Sequence, residues 1–378
     1  MRIALFTDGV FPYVIGGMQK HSFNLAKYFA RNKVAVDLYH CNQSQYDISK
    51  LELFSEVEKK YIRSFVIDFP SFGNLPGHYI RESFEYSRRI FDLFRKNADV
   101  DFVYAKGFTA WKLLDEKGKG FKCPPIGVNF HGYEMFQKAA SFRSRLEQVL
   151  LLRKPVLFNI EKADRLFSYG GKITELIRSQ GIPDEKIIES PACIESDWMV
   201  QNIQPTGDIR KFIFVGRYER RKGIEELNSV LPELLQDNKF EFFFVGDIPE
   251  GKKIMSENIQ YLSKITEANE MKKALRNADV LVCPSYSEGM PNVILEAMAC
   301  GLAVIATDVG AMNLMVSDQN GWLISPGSKE ELNNALRAAI HMPTAELDEM
   351  KKASLRSARK YLWDKVSEDL LRKIELAK

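Results

Sequence analysis

Short apolar runs alternate with helix-period segments along nearly the whole chain, and this pattern narrows the fold more than any other feature. Apolar runs bounded by glycine, proline or aspartate read as strands buried on both faces, and helices between them put such strands in parallel order. In the first half RIALFTD (2–8), VAVDLYH (34–40), DFVYAKG (101–107) and PPIGVNF (124–130) take the strand role. Between them, MQKHSFNLAKYFAR (18–31) and HYIRESFEYSRRIFDLFRKN (78–97) read as helices. The pattern lapses near 196–208, where ESDWMVQNIQPTGD is polar, contains proline and glycine and has no periodicity. It resumes with KFIFVGR, KFEFFFVGD, ADVLVCPS, GLAVIAT and GWLIS. The expectation is an α/β chain of two successive units joined by a linker, each taking ligands outside the carboxyl ends of its strands. If the two crevices face each other, the cleft between them is the expected active site. The last helical segment, WDKVSEDLLRKIELAK (363–378), is amphipathic and could pack on either unit.

Bulk properties agree with this picture and exclude others. At 378 residues the chain exceeds the size at which one core keeps growing, so two domains are expected. A net charge of +3 gives no case for nucleic acid. Residues 1–200 carry 29 basic and 24 acidic groups, a mild excess that permits an anionic partner or a solvated helix face equally. The five cysteines are scattered without C-x-x-C spacing, which suggests reduced thiols in a cytosolic protein. No stretch approaches membrane-spanning length, and the first apolar run is too short for a signal peptide. A cytoplasmic chain is expected, with peripheral contact at the inner face of a membrane left open. The basic, aromatic stretch 79–96 and the segment 138–162 could supply such contact or be ordinary amphipathic helices.

Residues 286–301 read YSEGMPNVILEAMACG. A strand leads into this string, Pro291 stands where a helix takes its first residue, and Gly301 stands just past the end. Free backbone N–H groups at such a helix start, with the helix dipole, favour a phosphate. Glu288 precedes the helix and is expected to project into the crevice. Glu296 lies four residues after Asn292 on the same stripe and points back towards the N-terminus. Flanked by Val293, Ile294, Leu295, Ala297 and Met298, its carboxylate needs a partner, because burying it bare is costly. Sugar and ribose hydroxyls would serve, and so would a local backbone group or a neighbouring arginine.

The string resembles the E-G-x-P-x-x-x-x-E-A-M-A-x-G signature of family-4 glycosyltransferases, retaining enzymes of the GT-B fold with two facing Rossmann-like domains. Other stretches resemble the family in the right order. VGRYERRKG (215–223) is similar to its G-R-x-x-x-x-K-G element, which implies that Arg217 and Lys222, beside Gly216, neutralise the donor diphosphate. Arg220 and Arg221 are read as a solvated loop. TDGVFPYVIGGMQKHSFNLA (7–26) matches the N-terminal glycine loop through Gly16 and Gly17, where backbone can approach a ligand closely. GVNFHGYE (127–134) puts His131 at the family's active-site histidine, with Gly132 in place of the usual following aspartate and Glu134 two further on. Before the linker, Pro191-Ala192-Cys193-Ile194-Glu195 departs from the family's P-N-G-V-D, and no ligand role is assigned there.

The resemblance implies an N-terminal acceptor domain over 1–196, a nucleotide-sugar donor domain over 209–361, and a C-terminal helix, 362–378, that packs back on the first. It implies transfer of a sugar, a hexose by expectation, from a UDP- or GDP-linked donor to a saccharide or lipid-linked acceptor in surface polysaccharide or glycolipid synthesis. His131, Glu288, Arg217 and Lys222 would be catalytic. Gly16, Gly17, Gly216, Gly289, Met290, Pro291, Asn292 and Glu296 would bind the donor, its base resting near 263–267. No metal or other cofactor is expected: Asp99-Val100-Asp101 imitates a D-x-D metal motif but merely precedes a strand. A GT-B-type epimerase or phosphorylase would share the architecture, and a non-catalytic sugar-nucleotide binding subunit would keep the phosphate residues. A nicotinamide dehydrogenase would require a G-x-G-x-x-G fingerprint, which the glycine loop is not.

Overall fold

A computed structural model describes residues 1–14, 16–41, 54–73, 77–237 and 239–378. Ile15, within the glycine-loop stretch, lies outside them. The strands form two separate sheets, parallel throughout. The first contains β1 (Arg2–Phe6), β2 (Ala35–His40), β3 (Ile62–Val66), β4 (Phe102–Lys106), β5 (Ile126–Asn129), β6 (Arg165–Ser168) and β7 (Ile187–Glu189), in the order β3-β2-β1-β4-β5-β6-β7. The second contains β8 (Arg210–Val215), β9 (Phe240–Val245), β10 (Ile259–Leu262), β11 (Val280–Cys283), β12 (Ala303–Thr307) and β13 (Gly321–Ile324), in the order β10-β9-β8-β11-β12-β13. Helices flank each sheet, giving the GT-B arrangement of two Rossmann-like units.

The period of two along each strand feeds two cores per sheet. Ile3 and Leu5 of β1 join one apolar cluster while Ala4 and Phe6 join another. Phe212 and Phe214 of β8 likewise face away from Ile213. Central strands such as β4, β11 and β12 are buried at every residue, as parallel strands covered on both faces must be. Strand order reverses between β1 and β4 and again between β8 and β11, so each sheet opens a crevice at its carboxyl edge.

The helix Trp363–Leu376 packs against the first sheet's unit. Trp363 stacks on Tyr28 at 5.3 Å, and Val366, Leu370 and Ile374 belong to the cluster around Ile3 and Leu5. The chain re-enters that unit where Leu362 bridges Ile194, next to where it first left.

Candidate active site

Every stretch singled out for chemistry sits at a carboxyl end facing the gap between the two units. The glycine loop follows β1 and leads into the helix Gly17–Arg31, and His131 follows β5. The basic loop follows β8, and the turn with Glu288 follows β11 and leads into the helix Asn292–Ala299. Pro291 is the N-cap of that helix rather than its first residue; its φ of −71° and extended ψ of 127° set the chain direction before the first turn. A side-chain carbon placed on Gly17 would lie 3.8 Å from Asn292 Nδ2, so the glycine loop and the second unit's helix start face each other.

Lys222 and Glu288 meet. Lys222 Nζ lies 2.5 Å from Glu288 Oε1, Ser285 Oγ donates to the same oxygen at 3.0 Å, and Arg221 Nη1 stands 3.6 Å away. Both partners are mostly buried, with Lys222 18% and Glu288 11% exposed. The pair is therefore screened less than a surface ion pair. Arg221 also bonds Glu219, and Arg220 grips Glu226 through two nitrogens while stacking over Tyr286 at 4.7 Å. The solvated-loop reading of these two arginines is thus corrected: Glu219, two residues before Arg221, and Glu225 and Glu226, five and six residues after Arg220, pin them. Arg217 instead points outward, 77% exposed, with Nη2 2.9 Å from Glu219.

Glu296 has a partner from the other unit. Lys20 Nζ donates to its Oε1 at 2.9 Å, and the same ammonium lies 5.0 Å from the Trp198 ring centroid. The bare-carboxylate problem is solved here by a lysine across the gap, neither by a local cap nor by an arginine.

His131 lies on the first unit's side of the gap, and its backbone touches the second. A side-chain carbon on Gly289 would stand 1.6 Å from the His131 carbonyl oxygen, so only glycine fits. At Gly310, with φ +59°, a side-chain carbon would stand 2.3 Å from the carbonyl oxygens of both Glu288 and Gly289, and Ala311 N–H donates to Gly289 O at 2.7 Å. The turn carrying Glu288 is thereby held from both sides. Gln137 adds a clamp: its Nε2 donates to Glu288 O at 2.8 Å, and the Glu288 N–H donates to its Oε1 at 3.3 Å. Met290 is buried in the same contact, its sulfur accepting from Ala192 N–H at 3.1 Å. Gly216 packs on the Phe214 ring, and its carbonyl closes on Gly246.

The ring of His131 belongs to a buried polar group that sequence reasoning missed. Lys106, fully buried at the end of β4, puts Nζ 2.9 Å from His21 Nδ1, 2.7 Å from Asn129 Oδ1 and 3.4 Å from His131 Nε2. Asn129 Nδ2 donates to Phe167 O, which turns its oxygen towards the lysine. Tyr169 Oη lies 2.5 Å from His131 Nδ1. Among the described residues no carboxylate is hydrogen-bonded to Lys106, and burial pulls its amine well below the usual lysine range, against a weaker upward pull from Asp8. Burial, then Lys106, push both His21 and His131 well below the usual imidazole value. Asp8, on the loop after β1, is raised to about 6 by burial. The three neighbours can each accept an N–H of Lys106, which offsets part of the burial that disfavours its charge; where Lys106 donates to His131 Nε2, the imidazole proton lies on Nδ1, facing Tyr169. A lysine ending an otherwise apolar strand, DFVYAK, was the available signal. Among the described residues no group of three or more His, Cys, Asp or Glu could hold a metal ion.

Comparison with known proteins agrees with the two-unit architecture. Residues 15–197 match the family model described as Glycosyltransferase Family 4, and residues 209–342 match that described as Glycosyl transferases group 1. The sulfoquinovosyl transferase SQD2 of Arabidopsis thaliana is 32% identical over 159 residues, 40% of this chain and 30% of that protein. The lipopolysaccharide glucosyltransferase WaaG of Escherichia coli (strain K12) is 25% identical over 257 residues, 65% of this chain and 67% of WaaG. The match thus spans about a third of SQD2 and about two thirds of WaaG. Sucrose-phosphate synthase from Thermosynechococcus elongatus superposes with a TM-score of 0.78 at 17% identity over 100% of both chains. The lipopolysaccharide outer core galactosyltransferase WaaB does so with a TM-score of 0.72 at 16% identity, again over 100% of both. At such identities the superpositions speak for the fold alone.

Proposed function

We propose, from the premise that this chain belongs to the GT-B-type glycosyltransferase superfamily, that it is a retaining transferase moving a sugar from a nucleoside-diphosphate donor to a hydroxyl acceptor. The observation that carries this reading is the Lys222–Glu288 contact of 2.5 Å at the start of the helix Asn292–Ala299. It brings a cation, a carboxylate and the start of a helix, with its dipole, to one edge of the gap. A diphosphate arriving there takes Lys222 and the helix start, with Arg217 swinging in from solvent. Glu288 then exchanges its lysine partner for hydroxyls of the sugar, and Glu296 exchanges Lys20 for those of the ribose. In this reading residues 1–196 receive the acceptor and residues 209–361 hold the donor.

The bond that breaks joins the anomeric carbon to the phosphate oxygen. The bond that forms joins that carbon to the acceptor oxygen on the same face, and the acceptor proton passes to the departing phosphate. Lys222, Arg217 and the helix dipole stabilise the charge that develops on the leaving group. His131, fixed by Tyr169 and Lys106, sets its ring at the reacting end of the cleft and would have to exchange its Tyr169 contact to bond a substrate hydroxyl. Closure of the two units excludes water and limits hydrolysis. The lipopolysaccharide glucosyltransferase activity named for WaaG supports an acceptor in surface glycan or glycolipid synthesis.

Thermal melting with a panel of nucleotide sugars tests the reading. A true donor raises the midpoint by mass action, by about 2.7 kcal/mol of stability at a hundredfold excess over Kd. A panel of UDP- and GDP-sugars with no stabilising member refutes it.

A further inference from the structure

We propose that the first half of the helical segment 142–162 docks on an anionic lipid bilayer and brings the mouth of the cleft to a lipid-borne acceptor. The segment runs as Phe142–Glu147, a π turn at Gln148–Leu152, and Arg153–Lys162. Its second half is anchored: Val156 and Ile160 are fully buried in the first unit's core, and the Arg153 guanidinium lies 5.5 Å from the Phe136 ring centroid. Its first half is not. No residue from Phe142 to Leu152 is buried, although six of the eleven are apolar. Phe142 is 85% exposed, Leu146 48% and Leu150 65%. Their spacing of four puts them on one face of the helix.

An apolar helix stripe left in water is a surface for a partner, and the charges around it say which. Over 138–154 five cations (Lys138, Arg143, Arg145, Arg153 and Lys154) stand against the single carboxylate Glu147. A second copy of this chain, docked about a two-fold axis, would set that positive patch against itself. An anionic bilayer accepts both parts at once, the apolar face among its acyl chains and the cations among its headgroups. No helix among the described residues is long and apolar enough to cross a membrane, so the contact lies in the plane of the surface. Position supplies the link to function. Just before this helix, Gln137 clamps the Glu288 turn and Lys138 Nζ donates to Pro326 O at 2.7 Å. Leu151 rests near Gly77, at the start of the helix His78–Phe94, whose Tyr79 shares a recess with Asp8 and Lys106. The docked face therefore adjoins both the candidate donor edge and the first unit's crevice.

The acceptor half of this inference rests on the glycosyl-transfer reading; the docking half does not. The full chain is to be floated with vesicles of phosphatidylcholine, alone or mixed with phosphatidylglycerol. Expected are binding to the mixed vesicles only, a loss of at least tenfold in Leu150→Glu, and a loss of about fivefold for each of Arg143 and Arg145 replaced by glutamine. All three positions are exposed, so melting curves should match the parent. Docking is overturned by absence of binding at low salt, by unchanged binding in Leu150→Glu, or by a dimer in sedimentation that Leu150→Glu dissolves. If vesicles bind but a nucleotide sugar leaves the melting curve unmoved, docking stands and the transfer reading falls.

Discussion

Lys20 Nζ lies 2.9 Å from Glu296 Oε1, an ion pair between residues 276 positions apart that spans the two units. Each partner is charged for a different purpose if Glu296 serves the donor ribose. Glu296→Gln should weaken nucleotide-sugar binding about tenfold, the loss of a charge-assisted bond. Lys20→Met should leave it as tight or tighter, because it removes the competitor. Calorimetric titration of both variants decides the matter, and equal weakening would mean that the pair is only a strut.

For Lys222 and Glu288 the expectation is catalytic. Each alanine variant should lower kcat by about a hundredfold or more, the usual effect of removing a transition-state charge partner. Melting midpoints should move by no more than about 4 °C, equivalent to roughly 1 kcal/mol. Transfer within threefold of the parent in either variant would remove that residue from the mechanism.

Gly289→Ala probes the contact between the units directly. Its new methyl would stand 1.6 Å from the His131 carbonyl oxygen. The relief available is separation of the units, so small-angle scattering should report a larger radius of gyration along with lost transfer. Gly207→Ala, which meets nothing within 4 Å, is the control and should change neither.

Lys106→Met should release the ring of His131 without touching the donor edge. In the parent the imidazole proton should sit on Nδ1, a state that nitrogen chemical shifts distinguish from the Nε2 tautomer. The variant should show the other tautomer or a mixture, with kcat falling more than KM rises. Lys106→Arg should restore neither, because a planar fork cannot point three hydrogens at these three acceptors.

Burial of His40 sets a pH dependence. It is fully buried, its Nε2 sits 2.8 Å from Ser64 Oγ, and desolvation lowers its pKa from 6.5 to about 4. A depressed value in the folded state means stability that is complete above 6.5 and declines as pH falls from there towards 4. The loss at pH 4 approaches about 3 kcal/mol. His40→Gln should flatten this part of the curve in denaturant titrations across that range.

What could be read in the sequence divides along physical lines. All nine strands expected from apolar runs are present, because β1, β2, β4, β5, β8, β9, β11, β12 and β13 are predominantly apolar. The four that went unread are short or peripheral. Strands β3, β7 and β10 lie at sheet edges, where one side faces water and residues such as Arg63, Glu189 and Gln260 dilute the pattern; β6 offers only RLFS. The same division governs the site. Glu288 and Lys222 announced themselves through local motifs. Lys20, Gln137 and Lys106 act through partners brought close only by packing of the two units or of neighbouring strands. Arg217 shows the converse, since its place in the loop was legible but its outward rotamer was not.

The chain passes between the units twice, and the Ile194–Leu362 bridge lays the two crossings side by side. A single proteolytic nick at either crossing would therefore leave the halves tethered by the other. Paired tethers also constrain motion: they resist twisting of one half over the other and leave bending about a short axle near Ile194 as the soft direction. Substrate entry and product escape would then follow a jaw-like path, widest at the rim farthest from that axle.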